Sequence, residues 1–380
     1  VSTSESLGIL ELTDNGAGFL RRRDANYLPS GGDVYVRQRL IRDFGLRTGD
    51  EIWGSVGKSP GRGKSPPLNR VESVNGRDPD TVKSRPEFNR LAAIHPNEQL
   101  LLDCEMKRFG GADYTNRIID LMCPLGKGQR ALIVAPAKAG KTMALQAIAQ
   151  GLVTNYPEAL LLILLVDERP EEVTEMEMCG FGEVIASSFD YPASRHIAIA
   201  HLVLERARRR VEQGEDVIII LDSITRLARA HNTVERGTGR TLSGGLDASS
   251  LDRPKKFLGS ARNVEPAQGG GSLTIIGTTL IDTDSRMDQV IFEEFKGTGN
   301  SELVLSREIA ERRIYPAIDL NASGTRKEER LLSPESLEAS RYLRHRLADL
   351  PAIDAMSQLL TLMKRTKNNS ELVQQVMAEL

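Results

Sequence analysis

Residues 131 to 142, Ala-Leu-Ile-Val-Ala-Pro-Ala-Lys-Ala-Gly-Lys-Thr, combine a short apolar run with a glycine, a cation and a hydroxyl at phosphate-binding spacing. The apolar run predicts a buried strand, Pro136 breaks it, and Gly140-Lys141-Thr142 opens a helix through Met143, Ala144, Leu145 and Ile148. Strand, loop and helix in that order cradle phosphate. Gly140 lets backbone N–H groups approach, the helix N-terminus favours negative charge, Lys141 reaches β/γ oxygens, and Thr142 offers a hydroxyl to Mg²⁺. The usual pattern begins with Gly, where this chain has Ala135. An ordinary strand–turn–helix is the bland alternative, and the correct flanks weigh against it.

Two further strands end in carboxylates. Val217 to Leu221 runs into Asp222-Ser223. An Asp at the carboxyl end of a neighbouring strand can hold Mg²⁺ through water, although Asp222 and Ser223 are also both good helix N-caps. Leu160 to Val166 runs into Asp167-Glu168-Arg169-Pro170, with Pro170 starting a helix and Glu168 left at the sheet edge where ligands of α/β sheets bind. Glu168 could deprotonate the water that attacks a γ-phosphate. The alternative is a surface ion pair with Arg169, which would contribute little.

Other segments bear on polyanions. Arg236 to Gly245 and Asp282 to Asp288 read as irregular loops with basic residues, suited either to binding or to plain solvation. Near the N-terminus, Phe19, the triple Arg21-Arg22-Arg23, Tyr27 and Tyr35 set aromatics beside cations, the pairing that holds single-stranded nucleic acid. Spacing alone favours core aromatics beside a solvated charge run.

The elements that must position these residues fall into two patterns. Short strands at 7–12, 18–20, 33–36 and 51–56, with a helical turn or two over 37–44, imply a small barrel or sandwich. Residues 58–67 are a Gly/Ser/Pro/Lys loop, and 76–125 read as a connecting region with limited regular structure. From 128 onward, strands at 131–135, 160–166, 183–188, 217–221, 273–279 and 302–305 alternate with helices at 142–154, 170–179, 193–212 and 288–294. That order predicts a parallel sheet with helices on both faces. The end of the chain, 334–380, is helical.

Bulk composition is that of a soluble globular chain: 380 residues, 40% hydrophobic, 27% charged, net charge −2. Residues 1–75 carry a slight basic excess, eleven Lys/Arg against nine Asp/Glu, which is compatible with nucleic acid without demanding it. Three cysteines with no CxxC spacing read as reduced thiols in a cytosolic protein. The longest apolar run, 159–166, is strand length, and residues 1–20 lack the order of a signal peptide, so no membrane span is expected. The missing initiator Met suggests a trimmed or incomplete start.

Taken in order, these pieces resemble the bacterial Rho family of transcription termination factors, from about residue 7 to 380. The resemblance is carried by residues 135–142, by Asp167-Glu-Arg-Pro-Glu-Glu-Val-Thr-Glu175, and by Asp222-Ser-Ile-Thr-Arg-Leu-Ala-Arg229. Glu293-Glu-Phe-Lys-Gly-Thr-Gly-Asn300 and Ser323-Gly-Thr-Arg-Lys-Glu328 complete it. Ala135 is then no anomaly, since the family's own loop has this form. The resemblance implies an α/β RecA-like P-loop ATPase core with a small N-terminal all-β OB-fold barrel. The barrel, holding the primary RNA site, would occupy residues 1–75, a connecting region 76–125, and the motor 126–380. It implies a cytoplasmic homohexamer that uses ATP with Mg²⁺ to move 5′→3′ on single-stranded RNA, unwind RNA–DNA hybrid and release transcripts from the RNA polymerase elongation complex.

Matched residue by residue, the resemblance places Lys138, Ala139, Gly140, Lys141 and Thr142 on the phosphates and Thr142 and Asp222 at the metal. Glu168 would activate water, with Arg169 near the γ-phosphate. Met143 and Tyr315 would pack the adenine, and Arg326 would be an arginine finger given to a neighbouring subunit. Arg240 and Thr241 would lie in the first pore loop for RNA and Arg286 in the second, while Phe19, Arg21 and Tyr35 would form the primary RNA site. The chain departs from the pattern at Ala17 and at Leu68 to Val71, where the family often has aromatics, implying a thinner stacking platform. Arg286 replaces a commoner Lys, Pro266 to Gly270 reads as a short insertion near the pore loops, and the family's helical N-terminal subdomain has no counterpart in these residues. Two competing readings are a rotary or secretion-type ATPase, which needs no RNA site, and a passive RNA-binding protein with a decayed nucleotide site.

Overall fold

The computed structural model describes residues 4–61, 63–234 and 243–379. Its first sheet is antiparallel: β1 (Ser4–Leu12), β2 (Gly18–Arg21), β3 (Val34–Val36), β4 (Glu51–Val56) and β5 (Leu68–Val74), in the order β3-β2-β1-β4-β5. Alternation sends Leu10, Leu20, Val34, Val36, Ile52 and Leu68 into one core. The opposite face carries the cross-strand row Glu11, Phe19 and Tyr35 and, four residues along β1, the pair Leu7 and Trp53. The sheet is the all-β half-barrel that the short-strand pattern predicts. Its fifth strand escapes the pattern because Leu68, Val71 and Val74 are the inward residues and a bulge breaks strict alternation.

The connecting region is more ordered than its composition predicts. It holds β6 (Ala93–Ile94), the hairpin β7 (Lys107–Arg108) and β8 (Gly111–Ala112), and a helix at Thr115–Met122. All eight residues of that helix are buried. Its polar members bond to other parts of the protein. Asn116 donates to the carbonyls of Leu102 and Ala147, Arg117 to those of Met363 and Thr366, and Asp120 accepts from the N–H groups of Leu102 and Asp103. Its apolar Ile118, Ile119, Leu121 and Met122 do follow a helical period, but eight residues are too few for that period to stand out in pattern reading.

The large sheet contains β9 (Arg130–Pro136), β10 (Leu160–Glu168), β11 (Glu183–Ser188), β12 (Asp216–Asp222), β13 (Arg262–Val264), β14 (Ser272–Ile281), β15 (Ser301–Val304) and β16 (Gly324–Thr325). Its order is β11-β10-β12-β14-β9-β15-β16, parallel from β11 to β15. Alternate residues serve two cores: Ala131, Ile133 and Ala135 face one, Leu132 and Val134 the other. Helices cover both faces, including Ala193–Val211 and the C-terminal helices Pro334–Ala348, Ala352–Lys364 and Asn369–Glu379. Two helices absent from the sequence reading, Ile224–Val234 and Asp252–Gly259, lie among them. A third difference concerns residues 266–271. They form a turn before β14 and pack on Gly214 and Glu215, at the amino end of the sheet. The loop expected near a pore follows β14 at its carboxyl end, so ten residues of strand, about 30 Å, separate the two.

The half-barrel is bolted to the large domain by buried charge. The Glu212 carboxylate, wholly enclosed, accepts from Arg47 and Arg85 at 3.0 Å each and from the Phe88 N–H at 2.8 Å, with Arg209 3.1 Å away. Arg85 also bonds Asp50 at 2.7 Å. Tyr27, one of the aromatics near the arginine run, is buried here as well. Its hydroxyl donates to Glu183 and accepts from Arg206, so it serves the junction and not an exposed face. Removing one member of a buried ion pair strands its partner. Glu212→Ala should therefore lower unfolding stability by about 3–5 kcal/mol, read from denaturant melts, whereas a loss below about 1 kcal/mol would mean that water reaches these arginines.

Candidate nucleotide and nucleic-acid site

The phosphate loop is shaped by backbone conformation. Lys138 (φ 64°) and Gly140 (φ 90°) both sit in the left-handed region, which coils Ala137–Gly140 tightly between β9 and the helix Lys141–Asn155. At Gly140 the choice is conformational, since only glycine adopts φ 90° freely. Ala139 is buried, Lys138 exposed, and Lys141, Thr142 and Met143 half-buried on the first helical turn. Tyr315 closes the far side: a Cβ added at Gly140 would lie 3.6 Å from its ring and 3.9 Å from the Met143 sulfur.

Parallel register brings the two carboxylates to this loop. Leu165 of β10 pairs with Asp222 of β12, and a bulge at Asp167 (φ 58°) re-aims the end of β10 so that Glu168 turns inward. The Lys141 ammonium lies 3.2 Å from Glu168 and 2.7 Å from Asp222. Thr278 of β14 donates to Asp222 at 2.6 Å. Helix capping falls instead to Ser223, whose hydroxyl accepts from the Arg226 N–H at 3.2 Å, leaving Asp222 free for the site. Glu168 is 1% exposed and makes no surface pair with Arg169. Arg169 is exposed and occupies the N-cap position of the helix Pro170–Met178.

Burial, and then the adjacent Asp222 carboxylate, push the Glu168 pKa up to about 8 against the opposing charges of Lys141 and Arg226. Burial works against the Lys141 ammonium, yet Asp222 and Glu168 outweigh it and hold its pKa above the ordinary lysine value. Glu168 Oε2 is buried without a hydrogen-bond partner. An orphaned carboxylate oxygen and the Asp222 carboxylate, with the Thr142 hydroxyl on the first turn of the helix after the loop, are hard oxygen donors. They suit Mg²⁺, which takes few protein ligands and completes its shell with water and phosphate. The arrangement can therefore hold a nucleoside triphosphate with its metal and present a base of near-neutral pKa to water.

Arg226 is the residue whose role here the motif alone does not reveal. Its Nε lies 3.2 Å from Glu168 Oε1, and it donates to the Asp167 carbonyl. One turn on, Arg229 Nε donates to the buried Asp288 at 2.7 Å, and Asp288 also accepts from the Thr283 hydroxyl at 2.6 Å. The spacing 222, 226, 229 on a strand–helix junction is the signal that could have found both. Asp282 to Asp288 is not all loop: Ser285 caps a helix that begins at Arg286, so the exposed Arg286 stands on a helical first turn. Gly244 packs against it so closely that a Cβ would meet the Met287 nitrogen at 2.5 Å. Arg240 and Thr241 lie outside the described residues.

Arg326 is exposed and remote from its own phosphate loop. Its N–H donates to the Asn300 carbonyl at 2.9 Å, and Asn300 Oδ1 accepts from the N–H of Arg130. Arg130 is the first residue of β9 and the loop follows its last, a separation of about 20 Å. On the half-barrel, Phe19 and Tyr35 meet edge to face at 5.7 Å, both half-exposed. Arg21 stacks 5.1 Å above Phe19 but is buried, held by Glu11 and Asp33, so its charge is already paired and it orients the ring. Leu68 faces inward and takes nothing from the outer face, whereas Ala17, two residues before Phe19, is buried without joining the barrel core. The outer face has an exposed Trp53, 41% accessible, which the resemblance did not point to.

Comparison with known proteins agrees with this division. Residues 6–80 match the family model described as the Rho termination factor RNA-binding domain, and residues 115–325 the nucleotide-binding domain of the ATP synthase alpha/beta family. The transcription termination factor Rho of Gemmatimonas aurantiaca is 54% identical over 94% of the chain, which spans 48% of that protein. Those of Buchnera aphidicola (subsp. Schizaphis graminum) and Escherichia coli K12 are 53% and 52% identical over 96% of the chain and 86% of their own lengths. A solved ATPase of the type III secretion system of pathogenic bacteria superposes with a TM-score of 0.62 at 22% identity, covering 85% of this chain and 93% of its own, a likeness of fold.

The carboxylate pair makes a measurable demand. In ¹³C-labelled glutamate titrations Glu168 should bind its proton up to about pH 8, and Lys141→Met, which removes an opposing cation, should move that titration higher still. A Glu168 that titrates below pH 5 would contradict this arrangement.

Proposed function

This chain belongs to the Rho family of transcription termination factors, and from that premise we propose that it is an ATP-driven RNA translocase that ends transcription. It captures nascent single-stranded RNA on the half-barrel, hydrolyses ATP as a cytoplasmic homohexamer, moves 5′→3′, unwinds RNA–DNA hybrid and releases transcripts from the RNA polymerase elongation complex. The units are an RNA-binding barrel at 1–75, a connector at 76–125 and a motor at 126–380. The observation that carries this reading is the coexistence, on one chain, of an aromatic barrel face with the complete set Lys141, Thr142, Glu168 and Asp222.

In the motor, Lys138, Ala139 and Gly140 line the phosphates and Tyr315 and Met143 pack against the adenine. Thr142 and, through water, Asp222 hold Mg²⁺, which when bound neutralises charge on the β/γ oxygens. Lys141 leaves the two carboxylates for those same oxygens. Glu168, relieved of its cation, takes a proton from the attacking water, and its raised pKa suits a base working near neutrality. Arg169 lies beside the γ-phosphate. Arg326, about 20 Å from its own loop, serves as a finger to the neighbouring subunit.

RNA would meet the ring twice. Phe19 and Tyr35, oriented by Arg21, stack bases at the barrel, while Arg286, with Arg240 and Thr241, lines the pore. The contact of Arg229 with Asp288 gives the hydrolytic centre a covalent and hydrogen-bonded route to Arg286. A secretion-type ATPase shares the fold, but it has no use for a Rho-type RNA-binding barrel.

ATP hydrolysis should rise when cytidine-rich RNA is added. Glu168→Gln should still bind ATP while hydrolysing it ~10²–10⁴ times more slowly. Parallel loss of binding and turnover would reject Glu168 as the base, and indifference to RNA would reject the translocase. Phe19→Ala or Tyr35→Ala should weaken RNA capture by roughly 1–3 kcal/mol per lost stack, with turnover recovered at high RNA concentration. Arg286→Ala should leave capture intact in filter binding yet abolish RNA stimulation. Identical behaviour of the three variants would refute two separate RNA sites.

A further inference from the structure

Phe109 is the most exposed aromatic ring named among the described residues, 82% accessible, and it stands at the tip of the β7–β8 hairpin. Phe109 (φ 51°) and Gly110 (φ 77°) are the two central residues of that turn, both left-handed. Such turns favour Asn-Gly or Asp-Gly, and a bulky residue at positive φ is sterically disfavoured. Neither burial nor turn geometry accounts for phenylalanine here. Its ring contact is with Tyr315, centroids 6.1 Å apart and planes inclined at 49°. Tyr315 in turn covers Gly140 of the phosphate loop. The hairpin is anchored to the same helix: Arg108 donates to the Met143 carbonyl and to Gln146 at 3.2 Å each, and to Asp113 at 2.8 Å.

We propose that Phe109 is the second wall of the nucleobase slot, closing over the base from the side opposite Tyr315. Two rings sandwiching a base need about 7 Å between them, so opening the present pair by about 1 Å admits a flat heterocycle, with the anchored strands of the hairpin as hinge. A stacked slot grips any base by its π-face and adds affinity without touching the γ-phosphate. Phe109 is therefore a binding residue for the nucleotide and takes no part in the hydrolytic step. The inference rests on the ATPase reading given above.

The test measures equilibrium binding to the assembled wild-type chain and to Phe109→Ala, using ATP and inorganic tripolyphosphate, which has no base. Phe109→Ala should weaken ATP about 3- to 10-fold and leave tripolyphosphate unchanged. Phe109→Trp should restore ATP affinity, and its indole, joining Trp53 as the second in the chain, should be quenched by ATP and not by tripolyphosphate. Equal affinities of wild type and Phe109→Ala for ATP would overturn the proposal, as would equal weakening for both ligands. Loss of assembly with ATP affinity intact would assign the ring to a contact between copies and overturn it too. A wild-type chain that binds neither ligand would refute the nucleotide reading itself.

Discussion

Two carboxylates that repel each other are buried side by side at the end of the sheet, and Lys141, joined at Glu168 by Arg226, holds them there. Glu168 and Asp222 come from adjacent parallel strands whose register leaves them no freedom to separate. Burial and mutual repulsion work against charge on both, and Lys141 opposes them at 3.2 and 2.7 Å. The strand lengths, the bulge at Asp167, the left-handed turn at Gly140 and the Thr278 hydroxyl all serve to bring these three groups together. A triphosphate competes for the same ammonium, so the arrival of ligand redistributes charge that the resting protein already balances. On the proposed mechanism the energetic logic of the site is exchange: one set of partners for Lys141 would be replaced by another, leaving the carboxylates to a metal and to water.

Much of this was legible in the residue order because it depends on local signals. A strand that ends in proline, a glycine before a lysine, and carboxylates closing apolar runs each mark the carboxyl edge of a parallel sheet. What was not legible depends on tertiary neighbours. Arg226 reads as one more helical arginine until the fold sets it beside Glu168. The helix Thr115–Met122 is only eight residues long, and the burial of its polar face depends on tertiary partners that no local pattern announces. Tyr27 has the spacing of a stacking aromatic, yet its hydroxyl is claimed by Glu183 and Arg206 from another part of the chain. Residues 266–271 are close in sequence to a functional loop and far from it in space, because a full strand intervenes.

The barrel face shows how charge and stacking divide labour. Arg21 is tied to Glu11 and Asp33, which fixes its guanidinium plane over Phe19. A ring so braced pays little entropy on meeting a base. The inward position of Leu68 means that variation there alters core packing, while Trp53 sits on the same sheet face as Phe19 and Tyr35.

The enclosed cluster around Glu212 has a mechanical implication. Arg47, Asp50 and Arg85 from the first hundred residues share one desolvated knot with Arg209 and Glu212 on the large domain. Such a knot does not bend gradually; it is intact or it is flooded. The small sheet thus does not swivel on its neighbour as a tethered module would, and it moves with the large domain as one stiff body, its outer face held at a fixed distance from the phosphate loop of the same chain.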